Sequence, residues 1–299
     1  MRDGGPDPVE QIDVSLVVST IGRIAELARL LASIAVEQSN GPTVELIVVD
    51  QSPDGAVLSL LESEGQQIRW VYTRTTAGVS LGRNAGLSLA TGRYVMFPDD
   101  DAWLPGPTLS GAVEHLDRHP DHVGLCAQLK DGRGRPSMLR WAPTARLVTK
   151  HNHHRTSIGS TMLFRTDAAR AAGGFDVRIG PGAGSWLGSC EDADFLLRII
   201  DGGRDVWYEP SLAVHHRDSR RDGGREAEGK ALAYGCGQGH LWRTHGFSTW
   251  LIALILVRRL AGGLVWVLRG RSDIGRAHRA WGRGAVNGLL GRPPADLHL

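Results

Sequence analysis

Gly78-Val-Ser-Leu-Gly-Arg83-Asn84-Ala-Gly86-Leu-Ser-Leu-Ala-Thr-Gly92-Arg-Tyr-Val-Met-Phe-Pro-Asp99-Asp100-Asp101 is the stretch on which the fold turns. Leu81, Leu87 and Leu89 suit a helix, Ala90-Thr-Gly92 ends it, and Tyr94-Val-Met-Phe97 is an apolar strand. Three adjacent carboxylates follow. At such short range they repel one another unless a cation offsets the charge. Mg²⁺ and Mn²⁺ prefer carboxylate oxygens and are often shared with a substrate's phosphates. In an extended segment Asp99 and Asp101 point one way and Asp100 the other, so the outer pair can grip a metal while the middle residue does something else.

Upstream, Val14-Ser-Leu-Val-Val-Ser19 and Val44-Glu-Leu-Ile-Val-Val-Asp50 are buried, β-branched strands, with a third over Ile68–Tyr72. Ile24, Leu27, Leu30, Leu31 and Ile34 recur at helical spacing, and a short helix is expected over about 55–64. Strands alternating with helices imply a mostly parallel α/β sheet with flanking helices and right-handed crossovers. Ligands on such sheets bind at the carboxyl ends of the strands. Ser19-Thr20 with Arg23, Asp50-Gln51-Ser52 and the acidic triplet all fall at those ends.

Composition narrows the class. The chain has 299 residues, 41% hydrophobic and 22% charged, which excludes a disordered, collagen-like or polytopic membrane protein. A net charge of +2 calls for no nucleic-acid partner. Cys126, Cys190 and Cys236 are odd in number and far apart, neither a disulfide framework nor a zinc pattern, so a reducing compartment is expected. Met1–Asp13 lacks the apolar core of a signal peptide. Residues 250–299 carry eight Arg against two Asp, whereas the rest is mildly acidic. That tail also holds two apolar runs, Trp250–Val257 and Leu260–Leu268, split by Arg258-Arg259. A clean transmembrane helix wants about 20 apolar residues without a central charge pair. The split pattern suits a helix lying in a bilayer surface with its arginines toward anionic headgroups.

The ordered motifs resemble those of the family 2 glycosyltransferases. That family shows an Arg-Asn-x-Gly-Leu helix, an apolar strand and then Asp-x-Asp, as in Arg83–Asp101 here. Val17–Arg23 is similar to its first strand and nucleotide loop, and Val48–Ser52 to its second. Gly174-Phe-Asp176, Glu191-Asp192-Ala-Asp194-Phe-Leu-Leu-Arg198, and Tyr208-Glu-Pro210 with His216 match its acceptor half in order. Two positions depart: Ser19-Thr20-Ile21-Gly22 stands for Pro-Thr-Tyr-Asn, and Asp50-Gln51-Ser52 for Asp-Asp-Gly-Ser. The resemblance implies a GT-A domain over residues 12–220, with a nucleotide-sugar half (12–105) and an acceptor half (106–220). A helical, membrane-associated tail over 221–299 would follow, at the inner face of the plasma membrane.

By the same resemblance the reaction is metal-dependent, inverting transfer of a sugar from UDP, GDP or dTDP to a hydroxyl of a glycan or lipid-linked acceptor. Asp192 would be the general base with Glu191 beside it. Ser19, Thr20, Arg23, Asp50, Arg83, Asn84, Asp99 and Asp100 would hold the nucleotide sugar. Asp99, Asp101 and His216 would hold Mn²⁺ or Mg²⁺. The Gly180–Gly188 segment is either a lid or a turn, with Gly184 and Trp186 toward the acceptor. Ser160, Thr161 and Met162 are expected on a strand, and His151–His154 in a polar loop. The rival readings are a nucleotidyltransferase, a sugar-nucleotide-binding module and a two-metal phosphatase. The first wants a glycine-rich phosphate loop after the first strand, and the last more carboxylate and histidine ligands than lie here.

Overall fold

The computed structural model describes residues 11–39, 41–217 and 225–295. Most of the Met1–Asp13 segment and the expected boundary at 220 therefore lie outside the described residues. The first half runs β1 (Val14–Thr20), α1 (Ile24–Ser39), β2 (Val44–Asp50), α2 (Ala56–Glu64), β3 (Arg69–Arg74), α3 (Val79–Leu89), β4 (Tyr94–Met96) and β5 (Ala102–Trp103). Then come α4 (Thr108–Arg118), β6 (His122–Lys130), β7 (Arg146–Leu147), β8 (Met162–Arg165), α5 (Thr166–Ala171), α6 (Glu191–Asp201) and β9 (Asp205–His216). Three helices close the chain: α7 (Arg225–Thr244), α8 (Thr249–Leu268) and α9 (Ser272–Leu290).

The strands form one sheet in the order β3-β2-β1-β4-β8-β6-β9-β5, with β7 also on β9. Its first half is parallel, as the alternation predicts. The second half is mixed: β8 runs antiparallel to β4 and β6, while β9 is parallel to β6 and antiparallel to β5 and β7. A register shift between β6 and β9 falls at the segment holding Pro210, which has no N–H to give a ladder.

Register positions the site. β1 and β2 pair from Val14↔Val44 to Thr20↔Asp50, so both strands end level. β4 pairs with β1 only to Leu16↔Met96, so four residues further on Asp100 draws level with Thr20. Val14, Leu16, Val17 and Val18 are wholly buried, worth about 1.5–3 kcal/mol each for a side chain of that kind. α3 reaches β1 through glycines. A Cβ at Gly86 would run into Val17, and one at Gly82 into Ser19. The buried face of α3 is therefore Ser80, Gly82, Arg83, Gly86 and Leu87, while Leu89, expected on the apolar face, is exposed.

The acidic triplet lies in a turn, with Ala102 N–H bonded to the Asp99 carbonyl, rather than in the extended segment expected. Gly159–Thr161 forms a 3₁₀ turn, so Ser160 and Thr161 precede the strand instead of lying on it. Ile158 N–H donating to Thr161 Oγ1 helps close that turn. The two apolar runs of the tail are one continuous helix, α8, through Arg258-Arg259. α7 and α9 pack backbone to backbone: Gly235 and Gly239 face Trp281 and Ala285, and Gly284 and Gly288 face Leu232 and Cys236.

Candidate active site

At the ends of β1 and β2, Thr20 Oγ1 donates to Asp100 Oδ2 at 2.7 Å. Arg23 Nη1 lies 3.1 Å from Asp100 Oδ1 and 3.0 Å from Asp101 Oδ2. Asp100 is buried, and desolvation pushes its pKa up despite Thr20 and Arg23. Asp50 has no exposed surface. Its Oδ1 accepts from Ser52 N–H and Oγ–H, and its Oδ2 from the Tyr72 hydroxyl. Asp50 thus organises Ser52 and Tyr72 around the end of β2. It does not cap α2, whose first-turn Ala56 N–H goes to Asp54 instead. The Ser19 hydroxyl is buried against Gly82 without a partner.

Asp101, which shares Arg23 with Asp100, also reaches toward β9, where Asp99 joins it. β5 pairs with β9 so that Ala102 sits opposite His216, which brings the imidazole beside Asp101. His216 Nε2 lies 2.8 Å from Asp101 Oδ1 and 3.9 Å from Asp99 Oδ2. Its Nδ1 is 2.6 Å from the Arg217 carbonyl, which can only accept, so Nδ1 carries a proton. A neutral ring then aims the Nε2 lone pair at a buried carboxylate oxygen that has no hydrogen-bond donor. Two acceptors at that separation require a proton or a cation between them. Burial works against a charged His216, but Asp101 and Asp99 outweigh it and raise its pKa. Ligand atoms of Asp99, Asp101 and His216 all lie within 4.8 Å of one another, a donor set that fits a divalent cation.

Arg83 ties this cluster to the other wall. Buried on α3, it gives Nη2 to Asp99 Oδ1 and Nη1 to Glu191 Oε1, each at 3.2 Å, and lies over the Phe175 ring. Cys190, in a left-handed backbone conformation (φ 75°), delivers the chain into α6 at Glu191. Burial and the neighbouring charge of Asp192 push the pKa of Glu191 up, to about 7, against the pull of Arg83. Asp192 Oδ2 accepts the Gly159 N–H at 2.8 Å, which points the carboxylate toward the 3₁₀ turn before β8.

The remaining expected residues divide. Asn84 turns both ends of its amide to the Phe175 backbone and holds the Gly174–Phe175 turn, away from the acidic cluster. The Gly180–Gly188 segment is a closed turn. Gly180 N–H bonds to the Leu187 carbonyl, Ser80 Oγ to that of Ile179, and Val79 N–H to that of Pro181. Gly184 (φ 62°) stands open at its tip, while Trp186 is half-buried against Ile179, Leu187 and Cys236.

The family model for glycosyl transferase family 2 matches residues 15–172. The chain belongs to that family. TarS of Staphylococcus aureus, a poly(ribitol-phosphate) β-N-acetylglucosaminyltransferase, is 27% identical over 51% of this chain and 27% of its own length. The succinoglycan biosynthesis protein ExoM of Rhizobium meliloti is 25% identical over 70% of this chain and 68% of its own. The chain thus spans about a quarter of TarS and two thirds of ExoM. The mannosyltransferase PcManGT of Pyrobaculum calidifontis, solved with GDP-Man and Mn²⁺, superposes with a TM-score of 0.62 at 18% identity, covering 97% of this chain and 90% of that one. TarS 1–349 with UDP-GlcNAc gives 0.58 at 18% identity, covering 94% and 93%. These likenesses establish the GT-A fold.

Three residues of this family 2 chain escaped sequence reasoning. Gly159 lies where the two walls nearly touch, since a Cβ there would sit 3.1 Å from Asp192 Cβ and 3.2 Å from Arg83 Nη2. His153, read as part of a polar loop, is buried with Nδ1 on the Lys150 carbonyl and feels the charge of Asp192. Tyr234 of α7 lies near both walls: burial raises its pKa, as do the charges of Glu191, Asp192 and Asp99. No local pattern marks any of them, because each gains its neighbours only when distant segments fold together.

Proposed function

We propose that this chain transfers one sugar from a nucleoside diphosphate (UDP, GDP or dTDP) to an acceptor hydroxyl in cell-surface polysaccharide or glycolipid synthesis, with inversion at the anomeric carbon. The observation that carries the reading is the cluster of Asp99, Asp101 and His216, joined through Arg83 to the Glu191-Asp192 turn. The relatives support it: TarS is named for transfer to poly(ribitol-phosphate) and ExoM for succinoglycan biosynthesis, and solved neighbours hold UDP-GlcNAc or GDP-Man with Mn²⁺.

On this reading Ser19, Thr20, Arg23, Asp50 and Asp100 line the nucleoside side. Asp99, Asp101 and His216 would hold Mn²⁺ or Mg²⁺ beside the diphosphate. Such a cation, when bound, neutralises charge gathering on the departing diphosphate. Asp192 takes the proton of the acceptor hydroxyl as that oxygen attacks the anomeric carbon from the face opposite the leaving group. The C–O bond to the diphosphate breaks as the new glycosidic bond forms. Gly159 N–H, on Asp192 Oδ2, fixes the direction of that carboxylate.

The tail supports a place at the cytoplasmic membrane surface. Among the described residues α8 is the one helix long and apolar enough to cross a bilayer, with mean hydropathy 2.1. Trp250, Leu254, Val257, Leu264 and Leu268 form an exposed apolar stripe. Arg259 turns inward over Trp281 of α9, so one face of α8 already has a protein partner. A helix with one face on protein, the other apolar, and arginines at its middle and just past its C-terminal end suits the interface plane rather than a crossing.

Thermal denaturation with UDP, GDP and dTDP, each with and without Mn²⁺ or Mg²⁺, tests the reading. Ligand at about 100 times its Kd stabilises by about 2.7 kcal/mol, a rise of roughly 5 °C or more. One nucleotide should give that rise only with the metal, and Asp101→Asn should remove it. Metal-independent shifts, or full sugar transfer by Asp192→Asn, would refute it.

A further inference from the structure

A charged network outside the cleft joins α6 to the turn after α7. Asp194, Arg198 and Asp201 fall at i, i+4 and i+7, one polar stripe on the helix that begins with Glu191-Asp192. His245 stands against the stripe, its side chain 3% exposed, with Nε2 3.0 Å from Asp194 Oδ1 and Nδ1 2.7 Å from Asp201 Oδ2. Arg198 Nε donates to Asp194 Oδ2, while its Nη1 and Nη2 reach the carbonyls of Ala172 and Gly174. From the other side Lys150 Nζ holds the carbonyls of His245 and Gly246, and its ammonium lies over the Phe247 ring.

We propose that His245 is a positioning residue: as an imidazolium bridging Asp194 and Asp201 it fixes α6, and with it Asp192, and so couples the C-terminal helices to the catalytic turn. Both ring nitrogens face carboxylate oxygens, so both must donate, and only the protonated ring does that. Burial works against the charge, yet Asp194 and Asp201 outweigh it and raise the pKa above the ordinary value of 6.5. Among the described residues, other charged or titratable groups about this network are Arg198 on α6, Lys150 and His153 in the 149–155 segment, His240 and Arg243 on α7, and Asp176 with Arg178. A group whose folded pKa is raised contributes stability that is complete below its unfolded pKa and is lost as pH rises through the folded one. Above that point the bridge loses a proton and one of its two bonds. α6 then keeps a single bond to His245 beside the Arg198–Asp194 pair, so its first turn, two residues from Asp192, is less firmly fixed.

The inference rests on Asp192 acting as the base, and Asp192→Asn tests that part alone. The experiment measures turnover of UDP-N-acetylglucosamine and GDP-mannose with Mn²⁺ against pH, beside thermal unfolding over the same range. It compares the full chain with His245→Gln and Asp201→Asn. Wild type should lose rate and stability together on an alkaline limb above the ordinary imidazole range. His245→Gln should lower kcat by tenfold or more at pH 6.5, leave the donor KM within twofold, and lack the limb. Asp201→Asn, which keeps an acceptor but removes a half-exposed charge, should move the limb to lower pH. If the Asp201→Asn limb stays where the wild-type limb lies, or His245→Gln changes kcat and KM only in step with unfolding, the proposal is overturned. Failure of wild type to turn over any nucleotide sugar counts against the proposed function. The stability limb and its Asp201→Asn shift still decide for or against the bridge.

Discussion

Arg83 and Glu191 stand 108 residues apart in sequence and 3.2 Å apart in space, and the same guanidinium reaches Asp99 on its other edge. One planar cation thus ties α3 to both the start of α6 and the acidic turn, with fork geometry that a lysine cannot copy.

Replacing Arg83 by alanine leaves Glu191 buried without its counter-charge. Breaking a buried pair commonly costs about 3–5 kcal/mol. The Asp99 side is 38% exposed and adds little of this, so the expected loss is about 3 kcal/mol, read from the urea midpoint. Nucleotide-sugar turnover should fall by more than about 100-fold, because Asp99 and the Glu191-Asp192 turn lose their common tie. An unchanged midpoint would show that the pair contributes nothing to stability.

Glu191 makes a pH prediction of definite sign. Its folded pKa, about 7, lies above its unfolded value because burial and Asp192 disfavour the charge. Between those values the folded state binds more protons than the unfolded, so this group makes stability fall as pH rises. Glu191→Gln removes that contribution. Its melting temperature, plotted from pH 4.5 to 7 beside wild type, should gain most at the upper end. A parallel offset across the range would mean that Glu191 titrates normally.

His216→Ala deletes the nitrogen that faces Asp101 and leaves both outer aspartates in place. Mn²⁺ affinity, measured by displacement of bound ⁵⁴Mn or by titration calorimetry, should drop by more than about 100-fold. Groups one layer behind a metal typically cost only about 10–100-fold. His215→Ala is the control. The adjacent ring faces Trp103 instead, edge-on, and Mn²⁺ affinity should not change.

The split between legible and hidden features follows from sequence range. Asp101 and His216 were paired in advance only through the resemblance of their motifs to the family, and the β5–β9 register that brings them together appears only in the fold. The separate partners of Asp99 and Asp100 were legible too, although a turn produces them and Arg23 still holds Asp100 and Asp101 together. The direction of Asn84 was not legible, because the motif fixes its residue type only and a turn 91 residues away holds its amide. The double task of Arg83, the approach of Gly159 to Asp192 and the His245 bridge have no local signature at all. The α7–α9 contact was hidden differently: it depends on glycines four residues apart, Gly235 and Gly239 on one helix and Gly284 and Gly288 on the other, whose spacing lets two helix backbones meet.

The exposed stripe of α8 gives the last prediction. Trp250 and Leu268 are each 78% exposed at opposite ends of the helix, and Val257 and Leu264 lie between them. If this face lies on lipid, vesicles containing anionic phospholipid should carry the protein up a flotation gradient, and neutral vesicles should carry less. Each arginine near such a surface contributes about 1 kcal/mol, screened within a Debye length, so 0.5 M salt should weaken the binding several-fold without abolishing it. The remaining hold is apolar, and Trp250→Ser with Val257→Ser and Leu264→Ser should remove it. Melting temperature should be nearly unchanged, since these side chains have little protein to lose. Flotation that is indifferent to lipid charge, or a triple variant that still floats, would assign the stripe to a protein partner instead.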